Sequence, residues 1–320
     1  MGFELVELAL FHAVPYLCDE LLGAEGEVGF HHPVVVGGLL LEDLDDGLYC
    51  LIQNDSTRTL FLRMKRYLGM VCKETCELLI RLAERYETAE FIVGDPSWWM
   101  HQVSGEHNQE ATAFVASALS YGSRSQFMPR IGQLLEWAGG DMEGWLRSGA
   151  YRERFATGDK RCFYRLYNND TMRHFLDAYR LMLVEHGSMG GYLAALPSPL
   201  STLNAIEAIC RWFALHDGGG VVPKDTTSAC KRVCMFLRWM VRDGSPVDLG
   251  LWKGLTDRRT LVMPLDTHVV SEAMKLGLLK SRCASMSAAL RLSEAMREVF
   301  PDDPLRGDFA LFGYGVAPSE

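Results

Sequence analysis

From about Met70 onward the chain repeats one pattern. Apolar side chains recur every three or four positions in stretches that close on glycine or proline, the signature of amphipathic helices. The spacing predicts helices over Cys72–Tyr86, Asn108–Ser120, Ser125–Ala138, Thr171–Glu185, Thr202–Phe213, Ser228–Arg242, Thr267–Leu276, Met286–Phe300 and Leu305–Phe312. Breaks fall at Gly139-Gly140, Gly187–Gly191, Pro197–Pro199 and Gly218–Gly220. No strand-like alternation competes in this part, so residues 70–320 are expected to form an all-α domain without internal repeats.

Two of these stretches carry the most information. The segment 228–242 has an apolar face at Ala229, Val233, Phe236, Leu237, Met240 and Val241, the recurrence of a core-facing helix. Its other side carries Lys231, Met235, Arg238 and Arg242, a basic stripe with a thioether inside it. Further on, Asp266 sits at the N-cap position of the helix predicted over Thr267–Leu276, which stops at Gly277. A lysine on one helix and an aspartate at the mouth of another suit a catalytic pair, and equally suit a solvated charge and an ordinary helix cap.

Residues 1–69 read differently. Their apolar runs, Val34–Val36, Leu39–Leu41 and Leu48–Ile52, are short and glycine-bounded, as strands are. Two readings of this piece stand. It is a small α/β-like or poorly ordered extension, or translation begins later, at Met64 or Met70.

Composition changes this picture little and charge changes it more. The 320 residues are 48% hydrophobic and 23% charged, ordinary for a soluble globular protein. No apolar run approaches the ~18–20 residues of a membrane span, and the N-terminus lacks the basic start of a secretory signal. A cytoplasmic protein without a membrane partner is therefore expected. The nine cysteines are scattered and form no CxxC, so small buried thiols are expected rather than a metal site. The net charge of −9 argues at first sight against nucleic acid. Its distribution argues otherwise: residues 1–69 hold 4 basic and 11 acidic side chains, whereas residues 223–280 hold 10 and 6.

Several uncommon strings then recur in order: DPSWW, ATAFVASALSYGSRSQF, CKRVCMFLRWMVRDGSPVDLGLW, MPLDTHV, KLGLL and DPLRGDFALFGYGV. Over about residues 73–317 they resemble a family of uncharacterised bacterial proteins related to the helix-hairpin-helix DNA glycosylases. The link to glycosylases of known activity runs through LDTHV at Asp266, similar to the VDTHV string that bears that superfamily's catalytic aspartate. The resemblance extends to the archaeal 8-oxoguanine DNA glycosylases, in which a catalytic lysine is followed by a long insert before the aspartate. It implies Lys231 and Asp266 as the catalytic residues. It further implies Met235 as the base-stacking residue, with Asp308 and Phe312 clasping a flipped base, and places Tyr121-Gly122 where the pocket takes a tyrosine-glutamine pair. The missing glutamine leaves base specificity open. The superfamily's LPGVGxKTA hairpin is not kept, since Gly218-Gly219-Gly220 and Pro223 precede Lys231 by a longer interval. The last cysteine is Cys283, so the C-terminal iron–sulfur cluster of many members has no ligands here, and no cofactor is expected.

The residue types suffice for the implied reaction. Base excision needs a nucleotide extruded into a pocket with an aromatic or polarizable wall and an anion beside the developing sugar cation. A lyase also needs a neutral amine, favoured by neighbouring positive charge such as Arg232, Arg238 and Arg242 on the same predicted helix. Arg124, Arg238, Arg242 and His268 are the expected DNA contacts, with Arg124 read as lying at a helix end, where it would meet the C-terminal dipole. The expectation is thus a two-lobed, monomeric, glycosylase-like helical protein acting on damaged duplex DNA, an oxidised purine first. The alternatives are a non-catalytic lesion- or structure-binding protein of that shape and a helical scaffold, the latter favoured if the basic stripe is buried in ion pairs.

Overall fold

The computed structural model describes residues 71–316, together with three short strands nearer the N-terminus. These belong to two compact units, Met1–Met64 and Lys65–Glu320. In the first, β1 (Val35–Val36), β2 (Leu39–Leu44) and β3 (Gly47–Ile52) form an antiparallel meander with Val35 opposite Leu40 and Leu39 opposite Ile52. The strand-like runs of the sequence fall on these strands.

The second unit is predominantly helical. Its α-helices, among the described residues, are α1 (Lys73–Tyr86), α2 (Glu106–Leu119), α3 (Arg124–Trp137), α4 (Met142–Ser148), α5 (Asn169–His186), α6 (Met189–Ala194), α7 (Thr202–Leu215), α8 (Lys231–Val241), α9 (Thr267–Lys275), α10 (Met286–Val299) and α11 (Arg306–Val316). Between α4 and α5 lies a short hairpin, β4 (Cys162–Tyr164) paired with β5 (Tyr167–Asn168), where no strand was expected. The short helices α4 and α6 were also not anticipated. α6 lies in what reads as a glycine break, because the Ser188 side chain caps it by accepting from Gly191 N.

The centre of this unit is α2, buried without interruption from Glu110 to Leu119. Its small residues (Ala111, Ala113, Ala116, Ala118) let α8, α3, α4 and the Pro96–His101 turn pack closely on it. Phe114 stands at the middle of an aromatic cluster with Phe175, Tyr179, Phe213 and Phe236, ring centroids 4.8–5.9 Å away. Glu110 is buried there too and accepts from Met189 N (2.7 Å) and Trp252 Nε1 (2.8 Å), so one carboxyl ties α2 to α6 and to the loop after α8. Burial pushes that carboxyl above its ordinary range against the pull of these donors.

A second layer joins the first and last helices described in this unit. α11 packs along α1 and touches α9 and α10. Gly313 permits the approach, since a Cβ there would lie 2.2 Å from Cδ2 of Tyr86. This brings the start of α11 beside α8 and sets up the site. No helix of the described residues is long and apolar enough to cross a membrane.

Candidate active site

Lys231 is the first residue of α8, following Cys230, whose φ of +46° turns the chain sharply into the helix. Asp266 is the N-cap of α9. Its Oδ1 accepts from the backbone N–H of His268 and Val269, each at 2.9 Å, which leaves Oδ2 free to turn outward. Lys231 Nζ lies 3.0 Å from that Oδ2, with the two side chains 34% and 33% exposed. Two residues 35 positions apart in the chain therefore meet in one contact.

The contact forms part of the wall of a cavity of about 790 Å³, within the size range of small-molecule sites. Met235, one turn after Lys231, lines it, as do Tyr121, Gly122, Asp308 and Phe312. Phe312 is held edge-on by Phe91, centroids 5.0 Å apart, and the Arg124 guanidinium carbon lies 5.6 Å from its ring centroid. Arg124, Arg238 and His268 also line the cavity. Every expected site residue except Arg242 is thus gathered around one space.

The electrostatics of Asp266 and Asp308 diverge. Burial alone would raise the Asp266 carboxyl, but the Lys231 charge and the two backbone N–H groups outweigh it and hold the group below the ordinary aspartate value. Asp308 goes the other way. Burial pushes its carboxyl up, reinforced by the Asp266 charge, and the Arg238 and Lys231 cations only partly oppose this. Two carboxyls pushed apart in one pocket are suited to different protonation roles.

Two expected phosphate contacts require correction. Arg242 is 1% exposed and lies outside the cavity, bonded to Asp248, to Glu87 at 2.5 Å and to Asp303 at 2.8 and 2.7 Å. Arg238 is 3% exposed and pairs with Asp248 Oδ1 at 3.2 Å and with Asp308. Neither guanidinium can reach a phosphate backbone at the surface, and the charge they were expected to lend Lys231 is offset by these carboxylates. The stripe from Lys231 to Arg242 is therefore exposed only at its start, since α8 is buried continuously from Val233 to Val241. Arg238 and Arg242 are buried in ion pairs, as expected of a helical scaffold, and Lys231, a third exposed on the cavity wall, is not.

Arg124 also differs from expectation. It opens α3 rather than closing a helix, with Nη2 donating to Asp95 Oδ2 at 3.4 Å. Asp95, which caps the Pro96–His101 turn through Ser97 N (3.0 Å), was not foreseen as a cavity residue. The signal was present in its Asp-Pro step. Arg232 was seen only as a source of charge. Its Nη1 donates to Ala118 O (2.5 Å) and Tyr167 Oη (2.7 Å), binding the rim of the cavity to β5. Among the described residues no group of three or more His, Cys, Asp or Glu side chains is arranged to hold a metal ion.

The chain matches a family described as "Protein of unknown function (DUF2400)" over residues 95–317. It belongs to that family. The DUF2400 match contains all of the cavity residues named above except Phe91, and so both partners of the Lys231–Asp266 contact. No curated protein and no solved structure matches the chain.

Proposed function

We propose that this chain is a DNA base-excision glycosylase with lyase chemistry, built on a two-lobed helix-hairpin-helix glycosylase-like arrangement of its helices. The observation that carries this reading is the 3.0 Å contact between Lys231 Nζ and Asp266 Oδ2 in the wall of a cavity with thioether and aromatic surfaces. An extruded nucleotide enters that cavity; Met235 stacks on the base, and Asp308 and Phe312 clasp its edge and face. Lys231 gives up a proton, attacks C1′ and displaces the base, which leaves with the electron pair of the glycosidic bond and takes up a proton. The Asp266 carboxylate stabilises positive charge at the sugar as that bond breaks. The attached amine then loses a proton and the C1′–O4′ bond opens with O4′ taking one up; the Schiff base so formed loses a C2′ proton as the 3′ C–O bond breaks, the phosphate leaving with that electron pair. Damaged duplex DNA is the substrate in this reading, an oxidised purine first.

The same contact supports a second reading. A lysine held as an ammonium in an ion pair is not a nucleophile, and a protein that binds lesions without cutting would keep the pocket and use the pair as structure.

Borohydride trapping separates the two on duplexes carrying 8-oxoguanine, uracil or an abasic site. A covalent adduct with the wild type that is absent with Lys231→Gln is the expected result, and the best-trapped lesion names the substrate. No adduct, with duplex binding retained at low salt, would replace the enzyme by the binding protein. Neither adduct nor binding would overturn both.

A further inference from the structure

The hairpin β4–β5 is bound to the mouth of the cavity from both strands. Tyr164 donates its hydroxyl to the Tyr121 carbonyl, and Tyr167 Oη accepts from Arg232. Arg165, in the left-handed region at φ +50°, lays its guanidinium 4.9 Å from the Tyr121 ring centroid and donates to Gln126 Oε1 at 3.3 Å. Gly122 makes room for it, since a Cβ there would lie 2.4 Å from Arg165 Nη1. Below, Phe163 packs edge-on against Phe155, centroids 5.1 Å apart, so the hairpin stands on a firm base. At its tip, Leu166 is 76% exposed, the highest exposure of any large apolar side chain among the described residues.

Such a leucine costs free energy in water, and here it is displayed rather than hidden. The charges around it suggest what covers it. Arg130, Arg154 and Arg165 flank the hairpin and make no ion pair with a carboxylate among the described residues; Arg130 lies 5.5 Å from the Phe163 ring centroid and Arg154 5.4 Å from that of Trp137. An apolar point among uncompensated guanidiniums, next to a cavity of about 790 Å³, fits a partner with a stacked apolar interior and an anionic exterior. Duplex nucleic acid has that construction.

We propose that the hairpin is the element that opens the duplex. Leu166 enters the base stack where the extruded nucleotide leaves it, Arg165 and its neighbours hold the flanking phosphates, and Tyr121 forms the threshold between stack and cavity. This rests on the proposed function, and the test keeps the two separable.

Two oligonucleotides of one sequence, each with a single abasic site, are compared as duplex and as single strand for borohydride trapping and strand cleavage. The ratio of duplex to single-strand rate should fall by about tenfold or more in Leu166→Ala, because only the duplex has a stack to be refilled. In a Lys231→Gln background, 2-aminopurine placed beside the abasic site should report unstacking with Leu166 and lose that signal with Leu166→Ala. An unchanged rate ratio, whether both rates fall together or neither moves, would overturn the wedge while leaving the glycosylase reading intact. A wild type inert on both strands overturns that reading and the wedge with it.

Discussion

The two ends of α8 hold the same kinds of side chain at the same spacing and put them to opposite uses. At its start, Lys231 is 34% exposed and meets a single carboxylate across a cavity wall. At its end, Arg242 is 1% exposed and meets three, Asp248, Asp303 and Glu87, with Arg238 sharing Asp248 one turn earlier. The distance between these worlds is about 15 Å of helix. A cation removed from water is tolerated only where carboxylates converge on it. Here they come from the loop after α8, the turn between α10 and α11, and the C-cap of α1. The buried end thus fastens three parts of the chain to the helix whose other end offers the amine. Rigidity at one end is what makes a fixed position at the other possible.

The comparison is broken most decisively at Lys231. Lys231→Gln should abolish the trapped adduct and strand cleavage altogether. It should leave stability within about 1 kcal/mol of wild type, the usual worth of a partly exposed pair. Trapping that persisted in this variant would move the nucleophile elsewhere. At the buried end the effects should invert. Asp248→Asn keeps the volume but leaves Arg238 and Arg242 short of charge, and a loss of about 3 kcal/mol in urea unfolding is expected, the scale of breaking a buried pair. A loss below about 1 kcal/mol would mean that the network counts for no more than surface pairs do.

That inversion also marks what the sequence could and could not show. The periodicity of 228–242 located α8 to within three residues at its start and one at its end, and the Asp-Thr-His-Val step located the cap of α9. Local pattern is enough for both, because helix faces and caps are set by neighbours in the chain. The fate of Arg238 and Arg242 is not local. It depends on Asp248, Asp303, Asp308 and Glu87 arriving from up to 155 positions away, and no spacing rule reports that. The hairpin at 162–168 was overlooked for a different reason. Six residues with three aromatics but no period-two alternation, Phe163-Tyr164-Arg165-Leu166-Tyr167-Asn168, are too few to outweigh the helical pattern on either side. The convergence of Tyr121, Met235, Asp308 and Phe312 on one cavity followed from resemblance rather than from periodicity, which placed each on a helix or loop but not beside the others.

Asp266 sharpens the comparison because it has two jobs on two oxygens. Oδ1 caps α9 and Oδ2 meets Lys231. Asp266→Asn retains a capping oxygen and loses the charge, whereas Asp266→Ala loses both. Base release and adduct formation should collapse equally in the two variants. Stability should not: the alanine variant is expected to be less stable than the asparagine variant by about 1 kcal/mol, the ordinary worth of such a cap. Equal stability would assign the carboxylate to the site alone, and equal retention of activity would return it to the role of a cap.

The smallest effect is a pH dependence. In the unfolded chain Asp266 takes up its proton near pH 4, the ordinary aspartate range. In the folded protein, burial would push that point higher, but Lys231 and the cap N–H groups hold it lower. The unfolded state therefore binds the proton more readily, so the contribution of this group is complete above the unfolded value and drains away as pH falls through the folded one. Glu87 at the buried end is depressed in the same sense, burial being outweighed by Arg242, so acid should weaken both ends of α8 at once. Subtracting Asp266→Asn from wild type isolates the cavity end. The difference in unfolding free energy should be flat from about pH 7 to 5 and shrink below about pH 4, with an amplitude under ~1 kcal/mol because both partners are about one-third exposed. A difference that stayed constant to pH 3 would mean that the Lys231–Asp266 contact does not hold the carboxylate in solution, and that the open end of α8 is looser than its buried end by more than exposure alone requires.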